Sequence, residues 1–285
     1  MPDDRRPLQG ALKVAKGEHS QGYLVNELFA HAALGDLQSV PAVLGWSADN
    51  CDGGKVTSIL FELVPGNLLD DIHRRAEIMA ATHPAHPQPS PDCLLYSPVE
   101  YWPVIVTLAR VIDTAHERDY IHMDIKPENI LVDARGKVML ADWGLHCGPK
   151  HGEPRPVVVD GPWGTKGYCL PELGAGGQGV PVHHSMDTQP LALTVLAMLF
   201  NMAPECARCL HGQDKLEGWL KFDPVLKDLV ISTLNADPAV RVPVADWHRR
   251  CPVEYLVPPP SIPHGAPPPH AAGMTLVLPP DHPVG

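Results

Sequence analysis

HMDIKPEN occupies residues 122–129, and ADWGL follows at 141–145. Between them lie two short β-like runs, ILV at 130–132 and KVML at 137–140, joined by DARG. That is the pattern of a tight hairpin. A hairpin brings the chain back to the edge it left, so the spacing predicts that Asp124, Asn129 and Asp142 converge. Two carboxylates and an amide offer oxygen donors only, which suits a hard cation such as Mg²⁺ that keeps several waters and binds substrate phosphates. Lys126 adds a positive charge placed to neutralise a transferring phosphoryl group. The set points to phosphoryl transfer.

The flanking sequence supplies a frame for these residues. GALKVAK at 10–16 reads as a strand, QGYLVNELFAHAAL at 21–34 as a helix carrying Glu27, and VPAVLGW (40–46) and VTSILFELV (56–64) as two strands joined by a polar turn. From Gly66 onward the character turns helical. SPVE at 97–100 is a capping box with Pro98 at the first helical position, and Val104, Ile105, Leu108, Val111, Ile112 and Ala115 follow on one face to about Glu117. DPVLKDLVISTL at 223–234 opens on Asp223 and Pro224 as another amphipathic helix. A small β-rich piece followed by a larger helical piece predicts an α+β protein of two lobes with a cleft between them.

Composition narrows the partners. A formal net charge of −11 in 285 residues argues against nucleic acid and anionic membrane, which demand clustered Lys and Arg. The N-terminal run MPDDRRPLQG has no apolar signal region, and the longest apolar stretch, PLALTVLAMLF at 190–200, is short for a bilayer and reads as a buried helix. Seven Cys at irregular spacing read as reduced thiols, and the expected compartment is cytoplasmic or nuclear, not secreted. Cys206-x-x-Cys209 with His211 lacks a second Cys/His pair for zinc and reads as a free, partly buried thiol pair. Proline gathers in THPAHPQPSPD at 82–92, read as a surface loop, and in residues 257–285, read as a disordered tail that could serve as a ligand for SH3-like or WW-like grooves.

HMDIKPEN, the hairpin and DWG together resemble the catalytic loop and metal-binding motif of the eukaryotic protein kinases. The resemblance continues in order. GTKGYCLPE at 164–172 is similar to the end of the family's activation segment, with Pro171 and Glu172 in its Pro-Glu slot. Asp187 fits the aspartate that begins the buried central helix, and Arg241 of DPAVR fits the arginine that pairs with the Pro-Glu glutamate. FELVPGNLL at 61–69 resembles the hinge against adenine, with Phe61 at the gatekeeper position and Glu62 and Val64 behind it.

The resemblance covers roughly residues 10–252 and implies a bilobal kinase-like fold. A partial N-lobe would span 1–65, a helical C-lobe 66–256 and the tail 257–285. It implies ATP and Mg²⁺ as cofactors and a Ser/Thr-type transfer to protein substrates. Asp124 would accept the substrate hydroxyl proton and Lys126 would meet the γ-phosphate. Asn129 and Asp142 would hold Mg²⁺, and Lys13, oriented by Glu27, would pair with the α/β-phosphates; Lys16 lies close by in sequence. Thr165 would hydrogen-bond near Asp124.

Two departures qualify the pattern. Met123 stands where many members of the family carry an Arg that binds a phosphate on the activation segment, and Thr165 and Tyr168 are the only hydroxyl residues from 142 to 172. The expectation is a protein not switched by phosphorylation of that segment. Only twelve residues, with the single glycine Gly10, precede Lys13, so the Gly-rich loop that covers ATP phosphates is missing from this sequence. The expectation is a truncated small lobe with an exposed sheet edge and weakened ATP affinity. A pseudokinase or kinase fragment serving as a binding scaffold is the competing reading.

Overall fold

The computed structural model describes residues 9–48, 55–83, 89–150, 154–156, 158–159, 163–170, 173, 178–211, 215–235, 237 and 240–256. The N-terminal part is a three-stranded antiparallel sheet with one helix. Strands β1 (Gly10–Val14), β2 (Val43–Ala48) and β3 (Val56–Glu62) lie in the order β1-β3-β2, and helix α1 (Glu18–Leu34) joins the first two. Lys13 is paired with Ile59 across the β1–β3 ladder, and residues opposite one another share a face. Ile59 is fully buried in a cluster with Leu24 of α1 and Val56, so Lys13 is carried on the face that α1 covers. Among the described residues β1 lies at the edge of this sheet.

The chain then crosses into the helical part. β4 (Gly66–Asn67) leads directly into α2 (Leu68–Thr82), whose N-cap Asn67 accepts from the Asp70 amide at 2.9 Å. α3 (Pro98–Glu117) has the bounds that its sequence signals predict: Glu100 reaches back to accept from the Ser97 amide at 2.8 Å and its hydroxyl at 2.7 Å. β5 (Ile130–Val132) and β6 (Val138–Leu140) form the expected hairpin, and β4 pairs onto β5 as a third strand. A short ribbon, β7 (Val158–Val159) with β8 (Val180–Pro181), precedes α4 (Ser185–Phe200). α5 (Pro204–His211), α6 (Leu216–Trp219), α7 (Pro224–Thr233) and α8 (Val244–Arg249) complete the helical part.

α4 is the centre of this part: Met186 to Phe200 are buried without interruption. The apolar stretch at 190–200 is indeed a core helix, but the helix begins earlier, so Asp187 sits in its first turn rather than ahead of it. α2, α3, α7 and α8 pack around it in one apolar cluster that holds Trp102 and Trp247. The N-cap Asp223 of α7 accepts from the Leu226 amide (2.9 Å) and also from Tyr101 Oη (2.7 Å) and Trp102 Nε1 (3.0 Å), so one carboxylate caps a helix and satisfies two core aromatics.

Four expectations need qualification or fall outside the described residues. In the 82–92 patch Thr82 belongs to α2, Thr82, His83 and Asp92 are exposed, Pro89 is buried, and Ser90 pairs with Cys93 in a β-bridge; residues 84–88 lie outside the described residues. Cys206 and Cys209 are exposed, not partly buried. The 257–285 tail and the Pro171–Glu172 pair lie outside the described residues. Among the described residues no helix is long and apolar enough to cross a membrane.

Candidate active site

Asp124 follows α3 in a loop whose backbone is held from below. The carboxylate of Asp187 is fully buried and accepts from the amides of His122 (2.8 Å) and Met123 (2.9 Å) and from His116 Nε2 (2.9 Å). Burial opposes its charge, but the hydrogen bond from His116 leads the effects that hold Asp187 below the usual carboxylate range. These bonds fix Met123 in the left-handed region at φ 71°, an uncommon state for a non-glycine residue. His122 ties the loop to the hairpin: its Nδ1 accepts the Asp124 amide at 3.2 Å, so Nε2 carries the proton and donates to the Ala141 carbonyl at 3.0 Å. The Ala141 amide in turn donates to the Asn129 carbonyl at 2.8 Å. The hairpin thus returns Asp142 to the loop that bears Asp124 and Asn129.

The Asp124 side chain is only 6% exposed and is surrounded by donors. Lys126 Nζ lies 2.9 Å from Oδ2, Asn129 Nδ2 donates to Oδ2 at 3.1 Å and to the backbone carbonyl at 2.8 Å, and Thr165 Oγ1 donates to Oδ1 at 2.6 Å. Lys126 Nζ also reaches Thr165 Oγ1 at 2.5 Å. Thr165 comes this close because Gly164 turns at φ 82°; a Cβ there would lie 2.7 Å from the Met123 carbonyl oxygen.

Across the cleft, Lys13 Nζ lies 2.5 Å from Glu27 Oε2 and 2.7 Å from Asp142 Oδ1. Burial works against the ammonium, but Glu27 and Asp142 outweigh it and hold the Lys13 pKa above its ordinary value. Burial pushes the Glu27 carboxyl up although Lys13 pulls it down, while the Lys13 ammonium outweighs burial at Asp142 and holds that group low. Lys16 is exposed just past β1, so Lys13 is the lysine in the cleft. Asp142 itself is left-handed (φ 61°) and opens the short 3-10 turn Trp143–Leu145. Trp143 is fully buried and donates Nε1 to the Leu140 carbonyl at 3.0 Å, and Asn26 of α1 donates to the Gly144 carbonyl at 3.2 Å.

A cavity of about 360 Å³ joins these groups. Lys13, Glu27, Asn129 and Asp142 line one side, and Phe61, Glu62 and Val64 line the other. Glu62 Oε1 accepts from the Ala42 amide at 2.8 Å. The donor set suits a hard cation: the Asn129 amide donates through its nitrogen, and Lys13 engages Oδ1 of Asp142, so these bonds do not use Asn129 Oδ1 or Asp142 Oδ2. Arg241 is buried and donates Nε to the Asn235 carbonyl at 2.9 Å; its expected partner Glu172 lies outside the described residues. Two buried residues here gave no sequence signal. His116 meets Asp187 from 71 positions away, and His31, one turn beyond Glu27, packs against Phe61 with the rings tilted by 50° and their centroids 5.1 Å apart.

This geometry, a lysine–glutamate pair facing two loop segments with Asp, Lys, Asn and Asp in order, has a counterpart among known proteins. The chain belongs to the protein kinase domain family, which its sequence matches over residues 15–249. It is similar to the serine/threonine-protein kinase YPK2/YKR2 of Saccharomyces cerevisiae, at 33% identity over 146 residues, covering 49% of this chain and 21% of that protein. It is similar to CBL-interacting protein kinase 12 of Oryza sativa subsp. japonica, at 26% identity over 53% of this chain and 30% of the relative. A probable serine/threonine-protein kinase, FMP48 of Saccharomyces cerevisiae, is 36% identical over 50% of this chain and 40% of its own length. The matches therefore span about a fifth to two fifths of these relatives.

Proposed function

We propose that this chain transfers the γ-phosphoryl group of ATP to Ser or Thr hydroxyls of protein substrates. The observation that carries the reading is the bracing of Asp124: a nearly buried carboxylate held by Lys126, Asn129 and Thr165, across the cleft from the Lys13–Glu27 pair. Mg²⁺ and ATP, when bound, supply the charge neutralisation and the transferred group. Asn129 and Asp142 would hold the ion, and Lys13, kept in place by Glu27, would meet the nucleotide phosphates. Phe61, Glu62 and Val64 would wall the adenine. Asp124 orients the incoming hydroxyl and takes its proton, and Lys126 lies beside it to balance the transferring charge. Lys126 is the residue type that supports a Ser/Thr acceptor, and the similar proteins named as serine/threonine kinases support it as well.

Radiolabelled ATP with a mixed Ser/Thr/Tyr protein acceptor tests this reading. Label is expected on phosphoserine and phosphothreonine, and Asp124→Asn should lower the rate by 10³-fold or more. Equal label from wild type and Asp124→Asn, or label on tyrosine alone, would overturn it.

A binding scaffold without turnover is the second reading. That reading predicts weak nucleotide binding and no transfer; micromolar affinity for an ATP analogue in a titration would count against it.

A further inference from the structure

On the substrate side of Asp124 one cation is built into the structure with no part in the chemistry above. Arg208 lies in the middle of α5 and spans the gap to the turn 165–170. Its Nη2 donates to the carbonyls of Gly167 (3.1 Å) and Cys169 (2.9 Å), and Nε reaches Gly167 at 3.3 Å. Nη1 donates to Gln189 Oε1 at 3.2 Å, and Gln189 is buried in α4. A planar guanidinium has donors pointing in several fixed directions, so it serves three acceptors at once where an ammonium of the same reach is a single point charge.

The held turn is the one that delivers Thr165. The amides of Tyr168 and Cys169 bond to the Thr165 carbonyl at 3.0 and 2.9 Å, and Thr165 Oγ1 donates to Asp124. Gly167 is left-handed at φ 91°, and a Cβ there would lie 2.7 Å from Glu205 Oε1 and 2.8 Å from the Pro204 ring, so the start of α5 presses on the same loop. The turn that Arg208 holds therefore borders the Asp124 carboxylate directly, with Thr165 on Oδ1 and Lys126 on Oδ2.

We propose that Arg208 is a positioning residue for the protein substrate: it locks the 165–170 turn against α4 and α5 as the platform on which the chain flanking the acceptor hydroxyl rests. The proposal deepens the phosphotransfer reading above and rests on it. Arg208 touches none of the nucleotide-side groups named here, so its loss should fall on protein substrate and spare nucleotide.

The test compares wild type, Arg208→Ala and Arg208→Lys in the full chain, each first shown to unfold cooperatively. With myelin basic protein as acceptor, Arg208→Ala should raise the acceptor KM about tenfold or more, with the ATP KM and kcat within about twofold. Arg208→Lys should fall between. In parallel, amide hydrogen exchange at Tyr168 and Cys169 should quicken about tenfold in Arg208→Ala, a readout that needs no turnover. If wild type shows no transfer, the phosphotransfer reading fails, and the exchange data alone then decide whether Arg208 orders the turn. Unchanged exchange would overturn the proposal. So would faster exchange with an unchanged acceptor KM, or an ATP KM that rises in step with the acceptor KM.

Discussion

Met123 stands beside Asp124 with no hydrogen-bond donor on its side chain. Its surroundings are apolar: Ile121, Cys147, Val159, Leu170, Val182 and Met186 bury it in a separate small core. Segments on either side of the 165–170 turn therefore meet the 122–129 loop through hydrophobic contact, which needs no added phosphate. Replacing Met123 by Arg would put an unpaired charge into that core and is expected to cost about 3 kcal/mol of stability in urea unfolding. A change under about 0.5 kcal/mol would show that the pocket accepts a cation. Phosphatase treatment is expected to leave activity unchanged; a phosphate mapped on Thr165 or Tyr168, with activity lost on its removal, would refute this. The missing donor was legible in the sequence. The apolar neighbours were not, since they come from five separate stretches that only the fold brings together.

At the scale of elements, Asp187 shows how a helix start can govern a loop. One carboxylate in the first turn of α4 serves two loop amides and His116, so its geometry sets where Asp124 points. Asp187→Asn keeps the shape but swaps an acceptor oxygen for an NH₂ group that faces a donor. The expected loss is about 3 kcal/mol with a parallel fall in kcat, read by denaturant unfolding and steady-state kinetics. Wild-type stability in Asp187→Asn would remove the loop clamp from this account. Cap chemistry made several elements readable: Ser97 and Glu100 mark the start of α3, and Asp223 with Pro224 marks α7. β4 was not readable, because a two-residue strand has no alternation and forms only when β5 arrives beside it. Thr165 was expected near Asp124 from family likeness; the Gly164 turn that places it needs a positive φ that sequence alone does not reveal.

Over the whole molecule, two buried histidines tie stability to pH. Among the described residues His31 makes no hydrogen bond of ordinary geometry through either ring nitrogen, and His146 makes one through Nδ1, to the Trp143 carbonyl at 2.9 Å. Burial pushes both down from the ordinary 6.5 to about 4. The unfolded chain takes up these protons near 6.5 and the folded chain not until about 4, so unfolding gains protons across that window. Stability should hold above about pH 6.5 and fall as pH drops toward about 4. His31→Leu should flatten part of that fall and raise stability at pH 7 by about 1 kcal/mol, since two unpartnered nitrogens leave the interior. A pH profile of urea midpoints identical to wild type would rule His31 out. Neither histidine was singled out in the sequence, because a lone His on a helix carries no sign of burial.

The two-lobed arrangement was legible from the order of its motifs, and the cleft follows from it: Lys13 and Glu27 come from the small part, Asp124, Asn129 and Asp142 from the large one. The central claim is that Asn129 and Asp142 together hold a nucleotide-bound divalent ion facing Lys13. Mn²⁺ binding followed by electron paramagnetic resonance, with and without a non-hydrolysable ATP analogue, tests it most directly. Wild type should bind Mn²⁺ tightly only when the analogue is present, and Asp142→Asn should weaken that binding about tenfold or more. Nucleotide-independent Mn²⁺ binding, or an Asp142→Asn variant that binds as wild type does, would contradict it.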